Sequence, residues 1–451
     1  MSGYAEYREV NLPWLKTVPA HWEIRRNKNI FTEQKEIVGE RSADYTLLSL
    51  TLNDIIPRDM DGGGKFPESF DKYKIVKNGD MAFCLFDIDE TPRTVGLSGY
   101  NGMLTGAYTI MRVSNINARF IYYYYLALDN GKMLRPLYTG LRKTIDINTF
   151  QSTKIPVPPC EEQDQIVRFL DWKVSSINKL INIKKKEIKA IDALKRSMVS
   201  HAITRGLTTD TSMKDSGVKW LGDIPAHWKV TKLRQILHPV SEKNHPEFPL
   251  LSVVREQGVI LRDVEDKEAN HNFIPDDLSG YKVVRKGQFA MNKMKAWQGS
   301  YGVSDYTGIV SPAYFIFDIA FENLEYFHYA IRSKVYVNFF AQASDGIRVG
   351  QWDLQMDKMK EIPFIVPPAD EQIAIVKYIK QALPQYDAAI EKLTEEVAVL
   401  EEYKNKVIAD AVTGKIDVRG IEIPEYEFVD EDIDNADENP EQGADEPPEE
   451  E

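Results

Sequence analysis

Pro158-Pro159-Cys160-Glu161-Glu162-Gln163 opens the stretch that decides how this chain is built. After it, Val167, Leu170, Val174, Ile177, Ile181, Ile188, Ile191, Met198 and Ala202 recur at steps of three and four, interrupted at Lys184 and Lys195. That spacing is the seam of a coiled coil. Pro367-Pro368-Ala369-Asp370-Glu371-Gln372 opens a second run, with Val376, Ile379, Leu383, Tyr386, Ile390, Leu393, Val397, Leu400, Val407 and Ala411 on the seam. The offset between the runs is 209, both from Val167 to Val376 and from Ala202 to Ala411. Two unrelated surface helices would not keep register over that length, and two matching seams can bury each other. The Pro-Pro pair cannot continue an upstream helix, and the acidic residues after it suit a positive helix N-terminus. Long helices are therefore expected over 160–206 and 369–416. Pro384 should kink or split the second, whereas its counterpart Ser175 carries no such constraint.

The repeat is longer than the helices. Trp14-Leu15-Lys16-Thr17-Val18-Pro19-Ala20-His21-Trp22 returns as Trp220-Leu221-Gly222-Asp223-Ile224-Pro225-Ala226-His227-Trp228. Thr105-Gly106-Ala107-Tyr108 matches Ser311-Pro312-Ala313-Tyr314, and Gly140-Leu141-Arg142 matches Gly346-Ile347-Arg348. The chain reads as a duplication: globular half, helix, globular half, helix, tail. Strands are expected at Tyr45–Leu52, Asp80–Phe86, Ala107–Val113 and Lys154–Val157, with counterparts at Leu250–Val254, Gln288–Asn292, Ala313–Asp318 and Glu361–Val366. Ala118–Leu128 and Leu324–Ser333 read as helices. The fold class is mixed α/β: two duplicated strand-rich globular domains, 1–159 and 218–368, joined by two long coiled-coil helices. Residues 207–217 read as a polar linker. Each long helix leaves its own globular half and the chain must return, so the helices should pack antiparallel about a pseudo-two-fold axis.

The totals bound the class. With 451 residues, the chain can build two or three cores. No run of about 18 apolar residues is present, so no membrane span is expected, and the N-terminus has no secretory pattern. Cys84 and Cys160, outside any metal-binding spacing, suggest free thiols in a reducing cytoplasm. The net charge of −13 is uneven: residues 424–451 hold fourteen acidic residues and no Lys or Arg, leaving the rest near +1. That segment reads as a disordered acidic tail.

The doubled Trp-Leu-x-x-Ile/Val-Pro-x-His-Trp, the doubled Ile/Val-Pro-Pro-x-x-Glu-Gln, and the helix ends Ala202-Ile203-Thr204-Arg205-Gly206-Leu207 and Ala411-Val412-Thr413-Gly414-Lys415-Ile416 resemble the specificity subunits of type I restriction–modification systems. The likeness runs to about Ile423, and the acidic tail lies outside it. It implies that the globular halves are target recognition domains, each reading half of a split double-stranded DNA site. It implies that the helices space them, and that two methyltransferase and two restriction/motor subunits are partners. Those partners would carry S-adenosylmethionine and ATP, so no cofactor is expected here. Some forty helical residues span about 60 Å, room for two reading heads about one DNA turn apart.

Base readout needs loops bearing Arg, Lys, Gln, Asn and aromatics. The repeated Gly-x-Arg loop offers Arg142 and Lys143 in the first half, and Arg348, Gln351 and Trp352 in the second. The loop after the central strand offers Arg93 and Thr94, beside Asp87, Asp89 and Glu90, and then Lys293, Lys295, Trp297 and Gln298. Trp22, Trp228, His21 and His227 read as structural, since no nucleophile or carboxylate recurs beside them. Lys184-Lys185-Lys186 reads as a solvated helix face, with a DNA-facing patch on the spacer as the alternative. No P-loop, dinucleotide fingerprint, Asn-Pro-Pro-Tyr or Phe-x-Gly-x-Gly motif is present. The expectation is a non-catalytic DNA reader; the alternative is a self-sufficient DNA-modifying enzyme with a cryptic active site.

Overall fold

The structure, a computed structural model, describes residues 2–431 apart from 53, 59–66, 68, 139–142, 209, 219–220, 264–273, 276 and 349–350. Side chains are not described at 347, 348 and 351. Arg142, Trp220 and the tail from 432 onward thus lie outside the described residues, as do the side chains of Arg348 and Gln351.

The chain divides into two compact units, Met1–Lys186 with Leu393–Glu451, and Glu187–Lys392. These boundaries differ from a division at the helix starts. The helices, Cys160–Arg205 and Ala369–Val412, are each shared between the units. A half-helix buries its seam against the globular part beside it, so contact groups it there. The second helix runs on through Pro384 without splitting. One lost backbone bond does not end a helix that tertiary packing holds.

In the first unit, a four-stranded sheet runs in the order Phe31–Gln34, Thr109–Val113, Asp80–Phe83, Val95–Leu97, all pairs antiparallel. Phe83 lies 4.9 Å from Phe150 and 5.0 Å from Tyr125, ring centre to ring centre. The helix Ala118–Asn130 starts where the Asn117 side chain accepts the Arg119 and Phe120 N–H groups. Its four tyrosines, Tyr122 to Tyr125, are buried. Burial demands hydrogen bonds for their phenols: Tyr124 Oη accepts from Trp14 Nε1 at 2.8 Å, and Tyr125 Oη donates to Asn27 Oδ1 at 2.8 Å. Ile166, Val167 and Leu170, early in the first long helix, share this core with Val407, Ile408 and Ala411, late in the second. The two half-helices of this unit therefore run antiparallel.

The second unit repeats the sheet as Leu237–Val240, Tyr314–Ile319, Phe289–Asn292, Tyr301–Val303. Its core joins Ala202 and Ile203 to Ile375, Val376 and Ile379, so its half-helices are antiparallel too. Seam Lys195 meets Asp387 at 2.5 Å. The helix Leu324–Ile331 is followed by a further helix, Lys334–Gln342, that periodicity did not expose. Lys154–Val157 forms with the bounds read and Tyr314–Ile319 is one residue on from Ala313–Asp318, whereas Tyr45–Leu52 contributes only Leu48–Leu50. The segment 207–217 is not wholly linker, because Met213–Asp215 pairs with Asp223–Pro225.

The repeated motifs have one structural account. Glu162, 5 % exposed, accepts hydrogen bonds from Tyr4 Oη at 2.5 Å and Trp22 Nε1 at 2.9 Å, and lies 2.7 Å from His21 Nε2. Glu371 repeats this with Trp228 Nε1 at 2.9 Å and His227 Nε2 at 2.5 Å. Gln163 and Gln372 return Nε2–H to the carbonyls of Pro158 and Pro367, both at 2.8 Å. Each helix start is thus pinned to the Pro-Ala-His-Trp segment of its unit. Gly414 ends the second helix at φ +73°, and a Cβ there would stand 2.4 Å from Pro19 Cδ. Only glycine meets both demands.

Candidate nucleic-acid interface

In the second unit the two candidate loops form one surface. The strand Phe289–Asn292 runs into a loop that turns at Ala296–Gln298 and stops at Gly299, φ +95°. The hairpin Ser344–Arg348/Gln351–Leu354 lies against it. The Leu354 N–H donates to the Lys293 carbonyl at 3.3 Å, and Lys293 Nζ sits 3.2 Å from Asp353 Oδ1. The Trp297 and Trp352 rings are 5.8 Å apart and tilted by 38°. Gly346 faces Trp352 across the hairpin, where a side chain would cover the indole. Trp352 is 38 % exposed, Lys295 is exposed, and Gln298 is half-buried. The backbones of Arg348 and Gln351 pair at the hairpin end. Exposed indole beside ammonium groups suits phosphate and base contact.

The first unit brings its loops together by backbone bonds. The Asp87 N–H donates to the Lys143 carbonyl at 2.8 Å, and Ile145 N–H to the Leu85 carbonyl at 2.7 Å. This patch is more acidic. Lys143 pairs with Glu90 and lies 3.4 Å from Asp89, and these carboxylates raise its pKa. Tyr138 Oη donates to Asp89 at 2.6 Å, which with Lys143 holds that carboxyl below its usual range.

Arg93 and Thr94 leave the readout set. Thr94 is 2 % exposed, and its hydroxyl and N–H donate to Asp129 at 2.6 and 3.0 Å. Arg93 donates to Asp129 at 3.1 Å, Asn130 at 2.8 Å and the Leu52 carbonyl at 3.1 Å. Lys132 adds a fourth donor group to Asp129, at 2.9 Å. The buried carboxylate of Asp129 must be matched, and these donors match it. Reading the loop locally missed Asp129, 35 positions beyond Thr94. It also missed Tyr138, whose one signal was its place just before the Gly-x-Arg loop.

Among the described residues no group of His, Cys, Asp or Glu could hold a metal, and no helix is long and apolar enough to cross a membrane. Both cysteines are free; Cys160 is exposed, and burial pushes the Cys84 thiol up to about 11.

Residues 69–192 match the model of the type I restriction modification DNA specificity domain. The type I restriction enzyme MjaVIII specificity subunit of Methanocaldococcus jannaschii is 26 % identical over 299 residues, 61 % of this chain. That match spans just under two thirds of the relative's own length, 65 %. The putative type I restriction enzyme MjaX specificity subunit of the same organism is 24 % identical over 436 residues, covering 89 % of this chain and 95 % of the relative. A chain from a solved structure concerned with complex assembly and conformational transition of the type I R-M system superposes with a TM-score of 0.56. It is 13 % identical and covers 88 % of this chain and 99 % of its own length, a likeness of fold.

Proposed function

We propose that this chain, which belongs with the type I restriction–modification specificity subunits, reads a bipartite double-stranded DNA site, one globular domain per half-site. It performs no chemistry itself. It recruits two methyltransferase and two restriction/motor subunits in the cytoplasm, and the duplicated domains and the antiparallel long helices are the frame for that work. One observation carries the reading: in the second unit the loop after the central strand and the Gly-x-Arg hairpin, some fifty residues apart, meet as one surface, and in the first unit Lys143 and Ile145 bond to Asp87 and Leu85 in the same way. Its reading residues are Arg142 and Lys143 in the first unit, and Lys293, Lys295, Trp297, Gln298, Arg348, Gln351 and Trp352 in the second.

The test is sequencing of methylated DNA from cells carrying the chain and its partner subunits. A split motif is expected, with one half lost on replacing residues of one unit. Incubating the chain alone with DNA and S-adenosylmethionine should give no methylation; methylation would favour the self-sufficient enzyme.

A further inference from the structure

Residues 427–431 depart from the expectation that 424–451 is disordered throughout, because they are docked on the first long helix. Three buried polar residues spaced three and four apart, Ser175, Asn178 and Asn182, line one face of the first long helix. Ser175 Oγ donates to the Glu427 carbonyl at 3.2 Å and accepts the Val429 N–H at 2.8 Å. Asn178 Nδ2 donates to the Val429 carbonyl at 3.3 Å, and Asn182 Nδ2 to the Asp430 carbonyl at 2.8 Å. All four bonds address main chain. The Glu431 side chain is 15 % exposed. Its carboxylate meets Lys185 at 2.7 Å and also pairs with Lys404. Burial raises the Glu431 pKa, yet the two ammonium groups outweigh it and leave the carboxyl below its usual range.

The repeat shows what this contact replaces. At the 209 offset, Lys195 corresponds to Lys404 and Asn178 to Asp387. In the second unit Lys195 takes its carboxylate from Asp387 on the opposite helix. In the first unit Lys404 meets the neutral Asn178 at 3.3 Å, and the charge comes from Glu431. The ladder is also one-sided, since Ser175 and Asn182 correspond to Pro384 and Glu391, which present no such amide or hydroxyl donors.

We propose that this face of the first long helix is a peptide-binding site for an extended acidic segment, and that residues 424–431 are its ligand in cis. Ser175, Asn178 and Asn182 read the peptide main chain; Lys185 and Lys404 read a carboxylate. The occupied site ties the two half-helices of the first unit together, so release of the C-terminus changes that unit alone. The proposal requires neither DNA nor a partner subunit, so its failure is distinct from that of the DNA-reading role.

A labelled peptide of residues 424–431 would be titrated by fluorescence anisotropy against the chain ending at Ile423 and against the full chain. Saturable binding to the shortened chain is expected, with at least tenfold weaker binding to the full chain, whose site is filled. Glu431→Gln in the peptide should weaken binding a further tenfold or so, and high salt should do the same. A folded shortened chain that does not bind, or equal binding to both chains, overturns the proposal. If the shortened chain does not fold, amide exchange in the full chain decides. Glu431→Gln should speed exchange at 427–431 by tenfold or more and leave the sheet around Phe289–Asn292 unchanged; unaltered exchange at 427–431 overturns it.

Discussion

Trp22 Nε1 donates to Glu162 Oε1 at 2.9 Å, across 140 positions of sequence, and Trp228 reaches Glu371 at the same distance. One carboxylate thus fastens the start of a long helix to the hairpin segment that opens its unit. Glu162→Ala strands the Trp22 and Tyr4 donors and should cost on the order of 3 kcal/mol, since each buried unsatisfied group costs about 1–3 kcal/mol. Glu162→Gln keeps an acceptor and should cost less. Glu371→Ala should cost less than Glu162→Ala, because the Glu371 side chain is 36 % exposed. Urea unfolding of the variants checks the order.

Asp54 accepts the Leu97 N–H at 2.8 Å and the Ile55 N–H at 3.0 Å, and burial still pushes its carboxyl up to about 6. The folded value lies above the unfolded one, near 3.9. This group's contribution is therefore full below about pH 4 and is lost as pH rises through 6. Asp54→Asn keeps an oxygen acceptor without the charge. It should raise stability at pH 7–8 by on the order of 1 kcal/mol and make little difference at pH 4. Melting curves of the two proteins across that range check it.

His328 has the opposite sign. Burial, with Arg332 nearby, pushes its imidazole down to about 4. Its Nδ1 accepts the Val303 N–H at 3.3 Å. The unfolded imidazole takes a proton near 6.5, so stability is full above that and falls as pH drops toward 4. His328→Gln should flatten this part of the pH profile, read by melts between pH 7 and 4.

Arg142→Ala and Arg348→Ala should each weaken recognition of one half-site. A bidentate base contact is worth about 1–3 kcal/mol, whereas a phosphate contact weakens all sequences alike and lowers the salt slope. Trp352→Ala should weaken binding through the second unit, and Arg93→Lys should alter stability without altering the sequence read. Binding assays with DNA altered in either half, over a range of salt, distinguish these outcomes. Wild-type specific binding by both Arg variants would remove the Gly-x-Arg loop from the interface.

The sequence by itself determined the duplication, the two long helices and their starts. Those features are periodic or local, written in the 209 offset, the seam spacing and the Pro-Pro pairs. It marked His21 and Trp22 as structural but did not name Glu162 as their partner. Tertiary structure alone decided which polar residues face inward. Thr94 and Arg93 look like a DNA-facing pair until Asp129 folds beneath them. Glu431 looks like one more charge in an acidic tail until Lys185 and Lys404 close on it. A buried charge must find its partner wherever the fold brings one, and that partner leaves no periodic trace along the chain.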